Sequence, residues 1–379
     1  MAATRRRYGA VRKLPSGRWQ VRLRTPEGEL IPAPTTFATK TDANRYLANT
    51  ETDQARGQWV DHRLGTTTVG EWAARYVTTT PHLKVSSLAD NDSLLRTLIL
   101  PRFEQTPVGS IRQIDVAEWI SDLIRSGLSA SRIRKAHGLL SRILRAAAAS
   151  GYIAADPAQG VKLPRLPKSE PTIVTPDAVA ALVRALEQPY ALLVDLLAYT
   201  GVRIGEAFAL RRRDVNLLHS QLIISRSLSY VGGHTIFDDT KNHHARTITI
   251  PAGLARDLKR HLTKSVVSDP EALVFSAPRG GPLNYTNFMR RFWDPAIEAA
   301  NLPRFTPHNL RDSHASWLVD DGWSVLDVAQ RLGHESATVT TKHYARAIVG
   351  RDLDVATGLD LIRARSRSPR SAAKRRTAK

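Results

Sequence analysis

Arg203, Lys241, His308, Arg311, His334 and Tyr344 are, in that order, side chains that together could cut a phosphodiester without a metal ion. The two arginines supply fixed positive charge, because a guanidinium does not deprotonate and presents several oriented N–H donors. Such donors help most where negative charge grows on phosphate oxygens during the reaction. The lysine and the histidines can carry protons. A tyrosine hydroxyl can attack once nearby positive charge and a proton acceptor assist its ionisation, which ordinarily falls near pH 10. No shared helix or strand requires these residue types, so their order points to a reaction rather than to packing.

Local context predicts where several of them sit. In Thr200-Gly-Val-Arg-Ile-Gly-Glu-Ala-Phe-Ala-Leu210, Gly201 can end the apolar helix that precedes it. Arg203 then lies near the start of the next helix with Glu206 one turn on, where a carboxylate can hold the guanidinium. Read alone, this is equally an ordinary helix-surface pair. In Thr306-Pro-His-Asn-Leu-Arg311, Thr306 can cap a helix beginning at Pro307. His308 and Arg311 then share a face beside the free amides of the helix start, which favours an anion. A histidine simply placed at a helix start is the plainer alternative. Gly333 closes another helix and leaves His334 near its end. Tyr190, Tyr199 and Tyr285 read as core or interface residues, and Tyr344 is set apart by what precedes it.

Three sets of elements must carry these groups. Residues 1–65 read as a small sheet followed by a helix over about 41–56. Trp19, Val21 and Leu23 alternate with Gln20, Arg22 and Arg24, the period of a half-buried strand. Arg22 and Arg24 then share the outer face, and a β-ribbon fits the major groove of B-DNA; a solvated face is the alternative. Residues 66–165 turn helical, with Thr68/Glu71 and Asp115/Glu118 spaced as capping boxes. A helix over 131–149 would bury Ile133, Leu140, Ile143 and Leu144. It would present Arg132, Arg134, Lys135, Arg142 and Arg145 either to phosphates or to water. The proline-interrupted stretch 161–171 reads as a linker, and Thr175-Pro176 starts a new helix. Residues 172–362 mix helices with strand-like runs at Leu222-Ile-Ile-Ser225 and Arg246-Thr-Ile-Thr-Ile250. The tail, 363–379, carries bases and no acids and is expected to be disordered.

Composition narrows the class. The chain has 379 residues and 42% hydrophobic residues, enough for two or three cores. Its net charge of +20 favours a polyanion, since each neutralised phosphate releases counterions. With no cysteine, disulfides and thiolate metal sites are excluded, and the histidines lack metal-ligand spacing. Met1 to Tyr8 contain no apolar core and no run is long enough to span a bilayer, so neither a signal peptide nor a membrane partner is expected.

The motifs Thr200-Gly-Val-Arg-Ile-Gly-Glu206, Thr240-Lys241 before Arg246-Thr-Ile-Thr-Ile-Pro251, His308-Asn-Leu-Arg311, Leu332-Gly-His334 and Tyr344 make residues 175–347 resemble the tyrosine recombinase (phage integrase) family. The middle helices resemble that family's core-site DNA-binding domain, and the N-terminal sheet and helix its arm-site domain. The resemblance implies an α+β multidomain fold: a small β-sheet-plus-helix domain (1–65), an all-α core-binding domain (66–165) and a mixed, mainly-α catalytic domain (172–362). It also implies that Tyr344 attacks the scissile phosphate to give a 3′-phosphotyrosine, while Arg203 and Arg311 contact the non-bridging oxygens. Lys241, on an expected β-hairpin turn, would protonate the leaving 5′-oxygen. His308 would assist proton transfer, His334 would orient phosphate or nucleophile, and Glu206 would support. No cofactor is expected. Expected partners are double-stranded DNA core and arm attachment sites and a homotetramer formed on DNA, with a host DNA-bending factor and an excisionase as further candidates. The place of action would be the cytoplasm of a bacterial host. A transposon or chromosome-dimer recombinase and a type IB topoisomerase use similar chemistry. A catalytically silent DNA-binding regulator is the rival from another class, and the intact residue set speaks against it.

Overall fold

A computed structural model of the chain describes residues 9–25, 28–56, 59–81, 83–167, 172–239 and 245–333. They fall into two compact units that divide between residues 168 and 169.

The first unit opens with an antiparallel sheet, β1 (Gly9–Lys13), β2 (Trp19–Arg24) and β3 (Leu30–Phe37), in that order. Helix α1 (Lys40–Ala55) packs on it, its first turn capped by Thr39, whose hydroxyl accepts Asp42 N–H at 3.1 Å. Val21 and Leu23 join Ile31, Ala43 and Leu47 in one small core, as the alternation along β2 requires. Arg22 and Arg24 emerge on the other face, where they donate to the carbonyls of Leu30 at 3.3 Å and Gly28 at 2.9 Å.

Helices follow. Thr68 and Glu71 form the expected reciprocal cap at the start of α2 (Val69–Thr78), with bonds of 3.0 and 3.2 Å. Helix α3 (Val85–Leu94) passes through one widened turn, Leu95–Ile99, into α4 (Leu100–Phe103). Helix α5 (Gln113–Arg125) starts three residues earlier than Asp115/Glu118 spacing suggests, with Arg112 at the N-cap. Asp115 instead lies inside the first turn, where its carboxylate reaches back to the Arg112 N–H at 2.8 Å. Helix α6 (Ala130–Ala149) buries Ile133, Leu140, Ile143 and Leu144 against Trp72, Phe103 and Trp119.

The second unit is built around a helix that is apolar on all sides. Helices α7 (Pro176–Arg184) and α8 (Tyr190–Thr200) come first, and α8 is buried along most of its length, as such a helix must be. Helix α9 (Ile204–Phe208) leads to β4 (Val215–Asn216), β5 (Gln221–Ile224), β6 (Arg226–Val231), β7 (His234–Asp239) and β8 (Arg246–Thr249). The remaining helices are α10 (Ala252–Lys264), α11 (Tyr285–Phe288), α12 (Asp294–Ala299), α13 (Pro307–Asp320) and α14 (Val325–Leu332). Among the described residues no helix is long and apolar enough to cross a membrane.

The strand pairing departs from expectation at one functional place. Lys241 was expected on the turn of a hairpin formed by its flanking strands, but β7 pairs with β6, and β8 pairs with β5. The tight reversal lies instead at Gly232 and Gly233, whose φ of 58° and 87° suit the turn that a two-stranded ribbon favours. Strand β8 is drawn to β5 because Leu222 and Ile248 face each other across the ladder, both buried. The strands on either side of Lys241 therefore belong to different sheets, and Lys241 itself lies outside the described residues.

Candidate active site

Arg203 is the N-cap residue of α9, immediately after the chain turns at Gly201. Gly201 has φ 66°, and a Cβ there would lie 2.6 Å from Leu332 Cδ2 and 2.7 Å from His314 Cδ2, so only glycine permits this approach. Glu206, one turn on, accepts the backbone N–H of Arg203 at 2.9 Å and its guanidinium at 3.0 Å. The same carboxylate accepts two bonds from Arg246 of β8, at 3.0 and 2.6 Å. The Glu206 side chain is 1% exposed, Arg246 14% and Arg203 29%, so Arg203 is the most open of the three. Burial alone would push the Glu206 carboxyl up. The hydrogen bonds and charge of Arg246, with help from Arg203, more than offset it and hold the group below the usual carboxylate range.

Arg311 lies inside the unit, 3% exposed, on the buried face of α13. Its guanidinium donates to the Gly201 carbonyl at 2.5 Å and the Leu332 carbonyl at 2.7 Å. Both acceptors are at the C-terminal ends of helices, α8 and α14, where the aligned peptide dipoles favour a cation. The contacts close a ring. Arg311 holds Gly201, two residues before Arg203; Arg203 is held by Glu206; Glu206 is held by Arg246. The ring ends at Gly333, where an added Cβ would be 2.9 Å from Arg246 Cδ, one residue past Leu332. Among the described residues, Glu206 is the one carboxylate bonded to the Arg203 and Arg246 guanidiniums, while Arg311 bonds backbone carbonyls.

His314 braces the ring from below. Its Nδ1 lies 3.0 Å from the Ala198 carbonyl and must donate, because Nε2 accepts from Arg331 Nε at 3.0 Å. Arg331 also donates to the Thr249 carbonyl at 3.2 Å, tying α14 to β8. Burial and the adjacent Arg331 charge lower the His314 pKa from 6.5 to about 4. A histidine with a folded pKa below its unfolded value takes up its proton more readily when unfolded. Its contribution to stability is thus complete above pH 6.5 and drains as pH falls toward 4. Thermal melts should show the midpoint of the second unit falling from pH 7 to pH 5, with His314→Gln flattening that slope. Equal slopes in both proteins would contradict this assignment.

The other expected residues separate into those the structure places and those it does not describe. His308 is on the same helix as Arg311 but is 70% exposed at the rim, its Nε2 3.8 Å from Asp312 Oδ1. Thr306 does stand at the N-cap of α13, yet its hydroxyl donates to Asn309 Oδ1 at 2.9 Å instead of capping a backbone N–H. Lys241, His334 and Tyr344 lie outside the described residues, as does the tail. In the first unit, Arg132, Lys135 and Arg142 line one face of α6, opposite Thr97, Asp90 and Asn91. Arg134 turns away from them and donates to the Pro164 carbonyl at 2.8 Å, which gives it a structural partner.

Arg246, His314 and Arg331 were not singled out from sequence. Arg246 did leave a signal. It shares the inward face of its strand with Ile248 and Ile250, and a charge at an inward position demands a buried counter-charge.

Residues 172–349 match the Phage integrase family, and residues 7–56 match the phage integrase N-terminal domain. Along 368 residues the chain is 28% identical to the prophage phiRv2 integrase of Mycobacterium tuberculosis, covering 94% of this chain and 96% of that one. Its fold is similar to the Tn1549 transposon integrase in complex with a circular intermediate DNA (TM-score 0.65, 22% identity, 75% of this chain and 99% of the other). It is also similar to the lambda integrase tetramer bound to a Holliday junction (TM-score 0.56, 18% identity, 90% and 96% covered).

Proposed function

This chain belongs to the phage integrase family of tyrosine site-specific recombinases, and from that premise we propose how its residues recombine DNA. Tyr344 attacks the scissile phosphate, leaving the protein joined to a 3′-phosphate and freeing a 5′-hydroxyl. Arg203 and Arg311 donate to the non-bridging oxygens as negative charge accumulates on them in the pentacoordinate transition state. Fixed, pre-oriented donors need no reorganisation at that moment, which is why they lower the barrier. Lys241 protonates the departing 5′-oxygen. His308, at the rim, assists proton transfer, and His334 orients the phosphate or the nucleophile. The 5′-hydroxyl of a second strand then reverses the step. Because the phosphotyrosine conserves the phosphodiester's bond energy, rejoining needs no nucleotide cofactor.

The observation that supports this reading is the chain of contacts that brings Arg203, Glu206, Arg246 and Arg311 together around Gly201. Residues 1–65 engage arm sites, with Arg22 and Arg24 toward DNA. Residues 66–165 grip the core site through the α6 face bearing Arg132, Lys135 and Arg142. The substrates are a phage and a bacterial attachment site, exchanged within a homotetramer in the bacterial cytoplasm through a Holliday junction. A host DNA-bending factor and an excisionase set the direction.

A nicked attachment-site duplex, which traps the cleaved state by losing its 5′-hydroxyl fragment, tests the reading. With a chelator present, the protein should become covalently attached to this DNA and not to a scrambled duplex. No adduct without divalent metal would overturn the mechanism, and equal attachment to both duplexes would point to a topoisomerase.

A further inference from the structure

We propose that Arg246 is a positioning residue for strand cleavage, setting the orientation of Arg203 through their shared carboxylate, Glu206. The inference rests on the recombinase reading above and extends it to a side chain that need not touch DNA. Glu206 is the only carboxylate among the described residues that bonds either guanidinium. Arg246 takes one terminal nitrogen to each of its oxygens, at 3.0 and 2.6 Å, in the planar two-point fit that guanidinium and carboxylate allow. With both oxygens fixed, the remaining lone pairs dictate where Arg203 can bond, and the 3.0 Å contact to Oε1 is the result.

The other end of Arg246 is also constrained. Its stem packs on Gly333, where a Cβ would be 2.9 Å away, at the residue before His334. Strand β8 begins with Arg246, five residues after Lys241. One side chain therefore meets both the Glu206 carboxylate that holds Arg203 and Gly333 at the end of α14.

A residue present only to neutralise Glu206 would have no need of this fit. Arg246 Nε is buried and has no hydrogen-bond partner among the described residues. Leaving a buried donor unpaired is unfavourable, so the conformation favours the Glu206 fork over complete hydrogen bonding of Arg246 itself.

The test uses the full chain and single-turnover cleavage of the nicked duplex, with Arg246→Ala and Arg246→Lys. Arg246→Ala should cut the cleavage rate by about 10²-fold, the size of effect expected when a reacting group shifts by an ångström, with binding to the duplex unchanged. Arg246→Lys keeps the charge and should retain the fold, but a point ammonium cannot span both oxygens, so its rate should fall between the two. The distinguishing readout is a duplex whose scissile phosphate is a methylphosphonate. That group lacks the negative charge Arg203 neutralises, so the deficit of both variants should shrink on it. A deficit equally large on both duplexes, or a loss that follows DNA binding or thermal stability, would overturn the proposal. If wild type forms no adduct at all, the recombinase mechanism fails instead, so the two failures are distinct.

Discussion

Tyr344→Phe is expected to abolish covalent attachment to the nicked attachment-site duplex while leaving binding to that duplex intact. The substitution removes one oxygen, the atom proposed to bond to phosphorus, and no other atom of the chain. Water cannot replace it productively, because the arginine cluster orients phosphate for a tethered attacker and the tether supplies much of the effective concentration. Three other tyrosines in the second unit are poor substitutes. Tyr190 packs against Phe292 and Phe288 in the core, and burial pushes its phenol above the ordinary range. Burial also raises Tyr199 and Tyr285, with nearby carboxylates adding to the effect in each. An adduct formed by the Phe variant would assign the nucleophile elsewhere, with Tyr230, exposed on β6, the first to check.

Arg311→Lys should produce the second large effect, and in two measurements at once. Lysine keeps the charge but has no planar fork to reach the Gly201 and Leu332 carbonyls together. Each carbonyl left unpaired in the interior costs about 1–3 kcal/mol, so the thermal midpoint of the second unit should drop. Cleavage, measured well below that midpoint, should slow on the order of 10²–10³-fold, the usual penalty for losing one donor to a developing oxyanion. The two losses have one origin: the bonds that hold the interior together also aim the guanidinium. A rate within about tenfold of wild type would mean that Arg311 is a structural arginine with no role at the phosphate.

Much of this was legible before any coordinates, for physical reasons that differ by residue. Helix ends were readable because glycine at a left-handed cap and threonine at an N-cap are local devices, as at Gly201, Gly333, Thr68 and Thr175. The pairing of Arg203 with Glu206 was readable because residues three apart meet on a helix start. Strand partnership was not, since β5 and β8 find each other through Leu222 and Ile248, which are distant in sequence. The same distance hid Arg246, 40 residues from Glu206. It also hid the depth of Arg311, whose acceptors are 110 residues upstream and 21 downstream. The sequence motif His308 to Arg311 suggested two groups side by side at a surface pocket. The fold puts one at the rim and the other inside, because α13 presents Leu310, Arg311 and His314 to the core.

The central claim is that one tyrosine hydroxyl forms a bond to phosphorus in a site governed by the Arg203–Glu206–Arg246–Arg311 ring. Its most direct test is to digest the trapped adduct with protease and nuclease and sequence the DNA-linked peptide by mass spectrometry. The account predicts a peptide containing Tyr344 joined through its phenolic oxygen to a 3′-phosphate, with the released strand ending in a 5′-hydroxyl. A link through any other residue, or to a 5′-phosphate, would contradict it.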